Sequence, residues 1–489
     1  MAKGSSLVIY GVSALSAVGG FIFGYDTNPT PQGLLVSTII FTSFLGCLFS
    51  GWLGDKIGRK RSILSGSLVF AVGCAMETIG VHPGLLFTAR AVAGLGGGVL
   101  SNIVPLYISE LSPPKIRGRL VCIFQLAVTI GIAVAYFVDY GCVNISGDLA
   151  WRVPFILQIA ACVALAAGTV VLPFSPRWLV DIGREDEALE TLARIRADGE
   201  RTPEVVEEFK EIVAEIRLEH AIAVRSYAEL FKGTVLRRTL LGLFVQSMQQ
   251  WTGINGVLYY APYIFASAGL NSNTTNLLAT GVTGIVNVLA TIPAILWLDD
   301  WGRRPVLISG AAIQGIAMFV IGGLTASQLQ VAVDADGNKV ITATAAASWS
   351  IVAFMFVFIA GFAYSWGAAG TVYPSEIFPI RVRAKAMSLT TGSNWLFNYV
   401  VATITPIFLN ASQSGIYFLF GSCCFVMMVV TWAFLPETKG KSLEEMEVVF
   451  GGDPAAERRA ALELGLGELR DQKINEKEME AEKDIHPTL

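Results

Sequence analysis

Six amide side chains stand inside strongly apolar stretches of this sequence: Gln125, Gln249, Gln250, Asn255, Asn287 and Asn394. An amide both donates and accepts, so its chemistry is hydrogen bonding rather than bond breaking. Surrounded by apolar residues, such groups are costly unless they face a wet cavity or one another. Two ionisable residues, Asp26 and Arg90, are embedded in the same way. Acids and bases gather instead at the ends of the apolar stretches: Asp55 with Arg59, Glu110 with Arg117, Arg177, Asp299 with Arg303 and Arg304, Glu376 with Arg383, and Glu437. Arginine binds carboxylates bidentately, so these sets can act as latches. There is no nucleophile–base set, metal-ligand spacing or phosphate loop, which argues against an enzyme and against a metal or organic cofactor. The seven cysteines are scattered without a CxxC pair, and His82, His220 and His486 lie far apart. They read as small core residues and isolated side chains, not as a disulfide framework or metal site.

The elements that must position these residues are membrane helices. Of 489 residues, 53% are hydrophobic and only 15% charged, with a mean hydropathy of +0.57. A soluble domain carries about a quarter charged residues. Glycine, at 49 residues, suits close helix approach in lipid. A net charge of −4 argues against a nucleic-acid partner. A bilayer core needs about 20 apolar residues per helix. Such runs fall at 7–26, 34–53, 62–81, 85–108, 119–141 and 153–173, then at 239–268, 275–298, 305–325, 346–373, 386–410 and 414–435. Six spans are followed by six. The expected organisation is a bundle over 1–173, a cytoplasmic helical linker over 174–238, a second bundle over 239–435 and a largely disordered tail over 436–489.

Orientation follows from Lys and Arg. Alternate connections hold Lys56, Arg59, Lys60 and Arg61; Lys115, Arg117 and Arg119; Arg303 and Arg304; and Arg381, Arg383 and Lys385. The connections between them carry almost none, Lys339 excepted. Both termini and the linker are therefore expected in the cytoplasm. In the linker, Val205, Val206, Phe209, Ile212, Val213 and Ile216 recur at helical spacing, as an amphipathic, solvated helix requires.

The halves repeat each other. Gly51-Trp-Leu-Gly-Asp55-Lys-Ile-Gly58-Arg59-Lys60 follows the second span, and Asp299-Asp300-Trp-Gly302-Arg303-Arg304 follows the eighth. Glu110-Leu-Ser-Pro-Pro-Lys-Ile-Arg117 follows the fourth, and Glu376-Ile-Phe-Pro-Ile-Arg-Val-Arg383 the tenth. Pro173-Phe-Ser-Pro-Arg177 ends the sixth, and Pro436-Glu437-Thr-Lys-Gly the twelfth. Parallel repeats about an axis along the membrane normal are one transporter plan. Topogenesis accounts for the arginines but not for acids at matched places. The matched sets are expected to latch one bundle to the other at the inner face in the outward-open state, so that breaking the latch permits rocking.

Taken together, these motifs resemble the sugar porter family of the major facilitator superfamily, fungal monosaccharide carriers in particular. The resemblance runs from about Gly20 to Lys441; its most specific element is Gln249-Gln250-Trp-Thr-Gly-Ile-Asn255 with Tyr259-Tyr260, followed by the endings Pro173-Phe-Ser-Pro-Arg177 and Pro436-Glu437-Thr-Lys-Gly, and Tyr373-Pro-Ser-Glu-Ile-Phe-Pro resembles fungal members in particular. It implies an all-α polytopic fold of two six-helix bundles. It also implies a monosaccharide substrate whose hydroxyls meet Gln125, Gln249, Gln250, Asn255, Asn287 and Asn394, with Trp395 and Phe23 against the C–H face of the ring. The alternative reading of these residues is that amides join helices and aromatics pack. Asp26 and Arg90 match the proton-coupling pair of the family's symporters, making the proton the coupling ion. A plasma-membrane monomer, with substrate and lipid as its partners, completes the expectation. A facilitative uniporter and a non-transporting sugar sensor stand as alternatives.

Departures are specific. Phe174 stands where family members carry Glu, Asp300 where a base is usual, and Thr371 where a tryptophan is common. Asp26 meets Thr27-Asn28-Pro29-Thr30-Pro31 at once, and it precedes Arg59 by 33 residues whereas Gln250 precedes Arg303 by 53. The first helix and its outer loop are therefore short, through a natural deletion or a lost exon.

Overall fold

The computed structural model describes residues 33–451 apart from short stretches at 81, 114–116, 198, 223–226, 268–272, 329, 334–338, 343 and 442. The first expected span, with Phe23 and Asp26, lies outside the described residues, as does the tail beyond 451. The first half contributes α1 (Gly33–Ile57), α2 (Arg59–Ile79), α3 (Pro83–Leu111), α4 (Arg117–Cys142) and α5 (Leu149–Val171). Three short helices follow: α6 (Pro176–Asp181), α7 (Glu185–Ala197) and α8 (Pro203–Ile222). The second half contributes α9 (Gly233–Trp251), α10 (Ile254–Tyr259), α11 (Ala261–Ser267), α12 (Asn273–Trp301) and α13 (Arg303–Gln328). It continues with α14 (Ala345–Tyr364), α15 (Trp366–Ile377), α16 (Ile380–Ala411) and α17 (Gly415–Phe434), before a short α18 (Leu443–Val449). The second to twelfth expected spans each find their helices. Among the described residues, nine segments are long and apolar enough to cross a membrane, α14 and α15 forming one of them. Absent from that set are α9–α11 and α16. Those are the helices that carry Gln249, Gln250, Asn255 and Asn394, so polarity has been concentrated where the amides stand.

Local sequence explains the breaks. Gly253 has φ +88°, a conformation in which a side chain is strained, and it divides the seventh span into α9 and α10. A Cβ there would lie 2.3 Å from the Phe420 ring on α17. His82 caps α3, its Nδ1 accepting from Gly84 N at 3.1 Å, with Pro83 opening the helix, where proline is well tolerated.

The architecture is the expected all-α one, with, among the described residues, a single short antiparallel hairpin, β1 (Gln330–Val333) and β2 (Lys339–Thr342), between α13 and α14. Alternating Val, Ile and Thr favour strands, and the hairpin carries the exceptional Lys339. Within the segment 174–238, α6–α8 turn their apolar faces toward one another. Trp178, Leu179, Leu192, Val205, Ile212 and Ile216 close a small apolar core. That layer is tied to the first half, Trp178 Nε1 donating to Asp55 O at 2.9 Å and Arg196 Nη1 to Leu111 O at 2.9 Å.

Candidate functional site

Four of the six amides form one hydrogen-bonded chain. Asn255 Nδ2 donates to Gln250 Oε1 at 2.7 Å, and Gln250 Nε2 donates to Asn394 Oδ1 at 2.9 Å. Asn394 Nδ2 donates to Gln249 Oε1 at 2.6 Å and also to Gln246 O at 3.0 Å. Gln249 Nε2 ends the run on Trp366 O at 2.7 Å. Every link points the same way, and such chains polarise one another. The break at Gly253 sets Asn255 beside Gln250, five residues away, and α16 brings Asn394 across. Gln249 and Gln250 are buried. Among the described residues this chain does not take in Gln125, half-buried on α4, or Asn287, buried on α12. Trp395 is buried on α16 beside Asn394. The sequence reading passed over Gln246, whose Nε2 donates to Gly370 O at 3.3 Å, and Asn398, which bonds the Tyr259 hydroxyl at 3.3 Å. Both lie on faces already marked, one turn from Gln250 and Asn394.

Arg90 has a partner that the sequence reading also missed. Its Nε lies 2.8 Å from Glu77 Oε1, both side chains within the bundle. The signal was present: Glu77 is the one acid in the α2 sequence, and a lone acid in an apolar span is a functional pointer. Asp26, the expected partner, lies outside the described residues.

The acid–base sets share one end of the molecule, and the repeat is exact in kind. Arg59 Nε donates to Glu110 Oε1 at 2.9 Å, with Asp55 at 3.2 Å. Arg303 Nη2 donates to Asp299 at 2.7 Å and to Glu376 at 2.7 Å. Tyr107 donates to Pro173 O at 2.6 Å, as Tyr373 does to Pro436 O at 3.2 Å. Gly58 and Gly302 share φ +88°. Where the halves part company is after the proline. Glu437 accepts from the backbone N–H of Arg303 at 2.9 Å and of Arg304 at 3.0 Å. Phe174, its counterpart, stacks on Trp178 with 5.5 Å between ring centres, Lys60 and Arg61 lying over its face at 5.1 and 5.4 Å.

Among the described residues these pairs close within each half; the latch between halves is expected of the outward-open state, and here the opposite end is the closed one. Arg59 and Arg303 each bind acids of their own half, and Arg383 donates to Phe378 O, again within its half, at 3.3 Å. Arg304 donates to Trp432 O. Arg177 stands in the first turn of α6, and Arg117 opens α4. Bonds between halves occur at the opposite end: Ser37 Oγ meets Thr403 Oγ1 at 3.0 Å, and the Tyr136 hydroxyl donates to Leu258 O at 2.7 Å. There α4 and α12 touch so closely that a Cβ on Gly284 would lie 2.6 Å from Ala133 Cα.

Comparison with known proteins places this geometry. A family model described as "Sugar (and other) transporter" matches residues 25–450. The High-affinity glucose transporter 1 of Candida albicans is 32% identical, with 90% of this chain and 85% of the relative covered. The MFS glucose transporter mfs1 of Aspergillus flavus is 33% identical, with 93% of each covered. Among solved structures, the proton:xylose symporter XylE bound to 6-bromo-6-deoxy-D-glucose superposes with a TM-score of 0.75 at 27% identity, covering 91% of this chain and 100% of that one. A partially occluded inward-open form of XylE from E. coli gives 0.72 at 26% identity, covering 89% and 99%.

Proposed function

The chain belongs to the sugar transporter family, an integral multi-pass membrane protein of the major facilitator fold, and from that premise we propose that it carries a monosaccharide inward together with a proton by alternating access. The observation that carries the substrate reading is the amide chain Asn255–Gln250–Asn394–Gln249. A sugar hydroxyl donates and accepts as an amide does, so it can replace an amide–amide bond without leaving a buried group unpaired. Gln125 and Asn287 add contacts from α4 and α12, while Trp395 and Phe23 take the apolar face of the ring. The family includes relatives named for glucose and a neighbour named for proton and xylose, which supports a hexose or pentose and a proton as the coupling ion.

In this reading the protein acts as a monomer in the plasma membrane. Both termini and the charged end face the cytoplasm, and the bundles 1–173 and 239–435 rock about the amide chain. The acid–base sets of Asp55, Arg59, Glu110, Arg117 and Arg177, and of Asp299, Arg303, Arg304, Glu376, Arg383 and Glu437, make the inner end of each half rigid, so that the inner gate opens as two solid faces. Asp26 takes the proton from outside and Arg90 registers the change. One elementary charge moved inward is worth about 2.3 kcal/mol per 100 mV, enough to accumulate substrate. A facilitator is the second reading, favoured by the Glu77–Arg90 pair, which balances Arg90 without a moving proton.

The test is labelled hexose and pentose uptake in cells lacking their own sugar carriers, with and without a protonophore. Uptake lost on adding protonophore and in Asp26→Asn supports symport. Uptake indifferent to both leaves the facilitator, and no uptake at all overturns the carrier reading.

A further inference from the structure

Lys60 and Arg61 stand side by side at the start of α2, and both lie over the Phe174 ring, 5.1 and 5.4 Å from its centre. Adjacent cations repel, and the negative face of one ring offsets only part of that. Lys60 Nζ also donates to Val170 O at 2.9 Å, a carbonyl in the last turn of α5, where helices favour a cation. The acids of this end serve Arg59 instead. Asp55 and Glu110 bind it, and Asp181 acts on it from α6. Among the described residues no acid pairs with Lys60 or Arg61. The second half shows the contrast, since Glu437 brings a carboxylate to Arg303 and Arg304 at the corresponding turn.

These two charges stand where two membrane spans end. The spans of α2 and α5 end at Arg59 and Val171, so Lys60, Arg61 and Phe174 lie at the boundary between lipid and water. Val171 and Val170 are 75% and 61% exposed, and the exposed stripe continues along α5 through Val163, Leu157 and Ile156 at seven-residue spacing. Seven residues are close to two helical turns, which keeps the stripe on one side of the helix. A free phosphate would meet the cations and leave the stripe unused. A phospholipid meets both.

We propose that the surface where α2 starts and α5 ends binds an anionic phospholipid, its headgroup phosphate on Lys60 and Arg61 beside Phe174 and its acyl chains along the α5 stripe. Guanidinium and ammonium groups both bind phosphate oxygens with charge-assisted bonds, and basic pockets between membrane helices hold lipid headgroups in this way. No sugar or proton takes part. With the orientation proposed above, the site faces the cytoplasmic leaflet, which carries the anionic lipids.

Phosphatidylglycerol titrated into the detergent-purified full chain, with melting temperature as the readout, tests this in the absence of any leaflet. The controls are phosphatidylcholine of the same chain length and inorganic phosphate. A ligand that binds the folded state raises the melting temperature, so a saturating rise is expected with phosphatidylglycerol and a much smaller one with either control. In the Lys60→Gln, Arg61→Gln double variant, the phosphatidylglycerol concentration giving half of the rise is expected to increase by about tenfold or more. An unmoved half-point in that variant overturns the proposal. An equal response to phosphatidylcholine does so too, and an equal response to inorganic phosphate rules out the lipid as occupant. Should the double variant fail to fold, Phe174→Glu carries the test, because it sets a carboxylate beside both cations. A weakened response to phosphatidylglycerol then supports the site, and an undiminished one overturns it.

Discussion

Gln250 is the residue on which the amide chain turns, since it donates to Asn394 and accepts from Asn255. Gln250→Ala leaves both partners facing a gap and removes a group that would otherwise trade its bonds for those of the sugar. An unpaired buried polar group costs about 1–3 kcal/mol, so KM for labelled sugar is expected to rise by about tenfold or more. The maximal rate should change less. A variant with wild-type KM would reduce these amides to helix glue. The sequence exposed this residue because an amide pair in an apolar span is conspicuous. It did not expose the order of the chain, which depends on α16 crossing at the height of Gln249.

At the scale of elements, the internal repeat makes its own control. The N-terminus of α13 is held by Glu437, whose carboxylate accepts two backbone N–H groups, as helix N-termini favour. The matching turn at α2 faces Phe174 instead. Phe174→Glu gives up a ring stack and two cation–π contacts, together about 1.5–3.5 kcal/mol. It stands to gain two charge-assisted bonds of about 1.5–3 kcal/mol each. The balance favours the carboxylate, and the melting temperature of the purified protein is expected to rise by a few degrees, about 2–4 °C per kcal/mol for a half of this size. A fall in melting temperature would mean that the aromatic packing against Trp178 outweighs the cap.

For the whole molecule, the described bonds between halves lie at the end away from the arginines. Ser37–Thr403, Tyr136–Leu258 and the Gly284–Ala133 approach hold that end shut. Alternating access requires these contacts to part. Gly284→Trp places an indole where no Cβ fits, so it should wedge the halves open at that end. Uptake is expected to be abolished while equilibrium sugar binding by the purified variant is kept. Loss of both would show that the wedge deforms the binding region, and retained uptake would show that α4 and α12 do not need to close.

Composition, span length and the placement of arginines determined that this chain is a twelve-span, twofold-repeated membrane protein with polar groups confined to few helices, because the bilayer imposes length and polarity on each helix separately. The same local rules singled out Gln125, Gln249, Gln250, Asn255, Asn287 and Asn394. Tertiary structure alone decided which groups meet: that the amides bond in one line, that Arg59 and Arg303 close within their own halves, and that Arg90 binds Glu77 from a neighbouring helix. Partners of that kind are set by how far one helix slides and turns against another, and helix spacing along the chain carries no record of it.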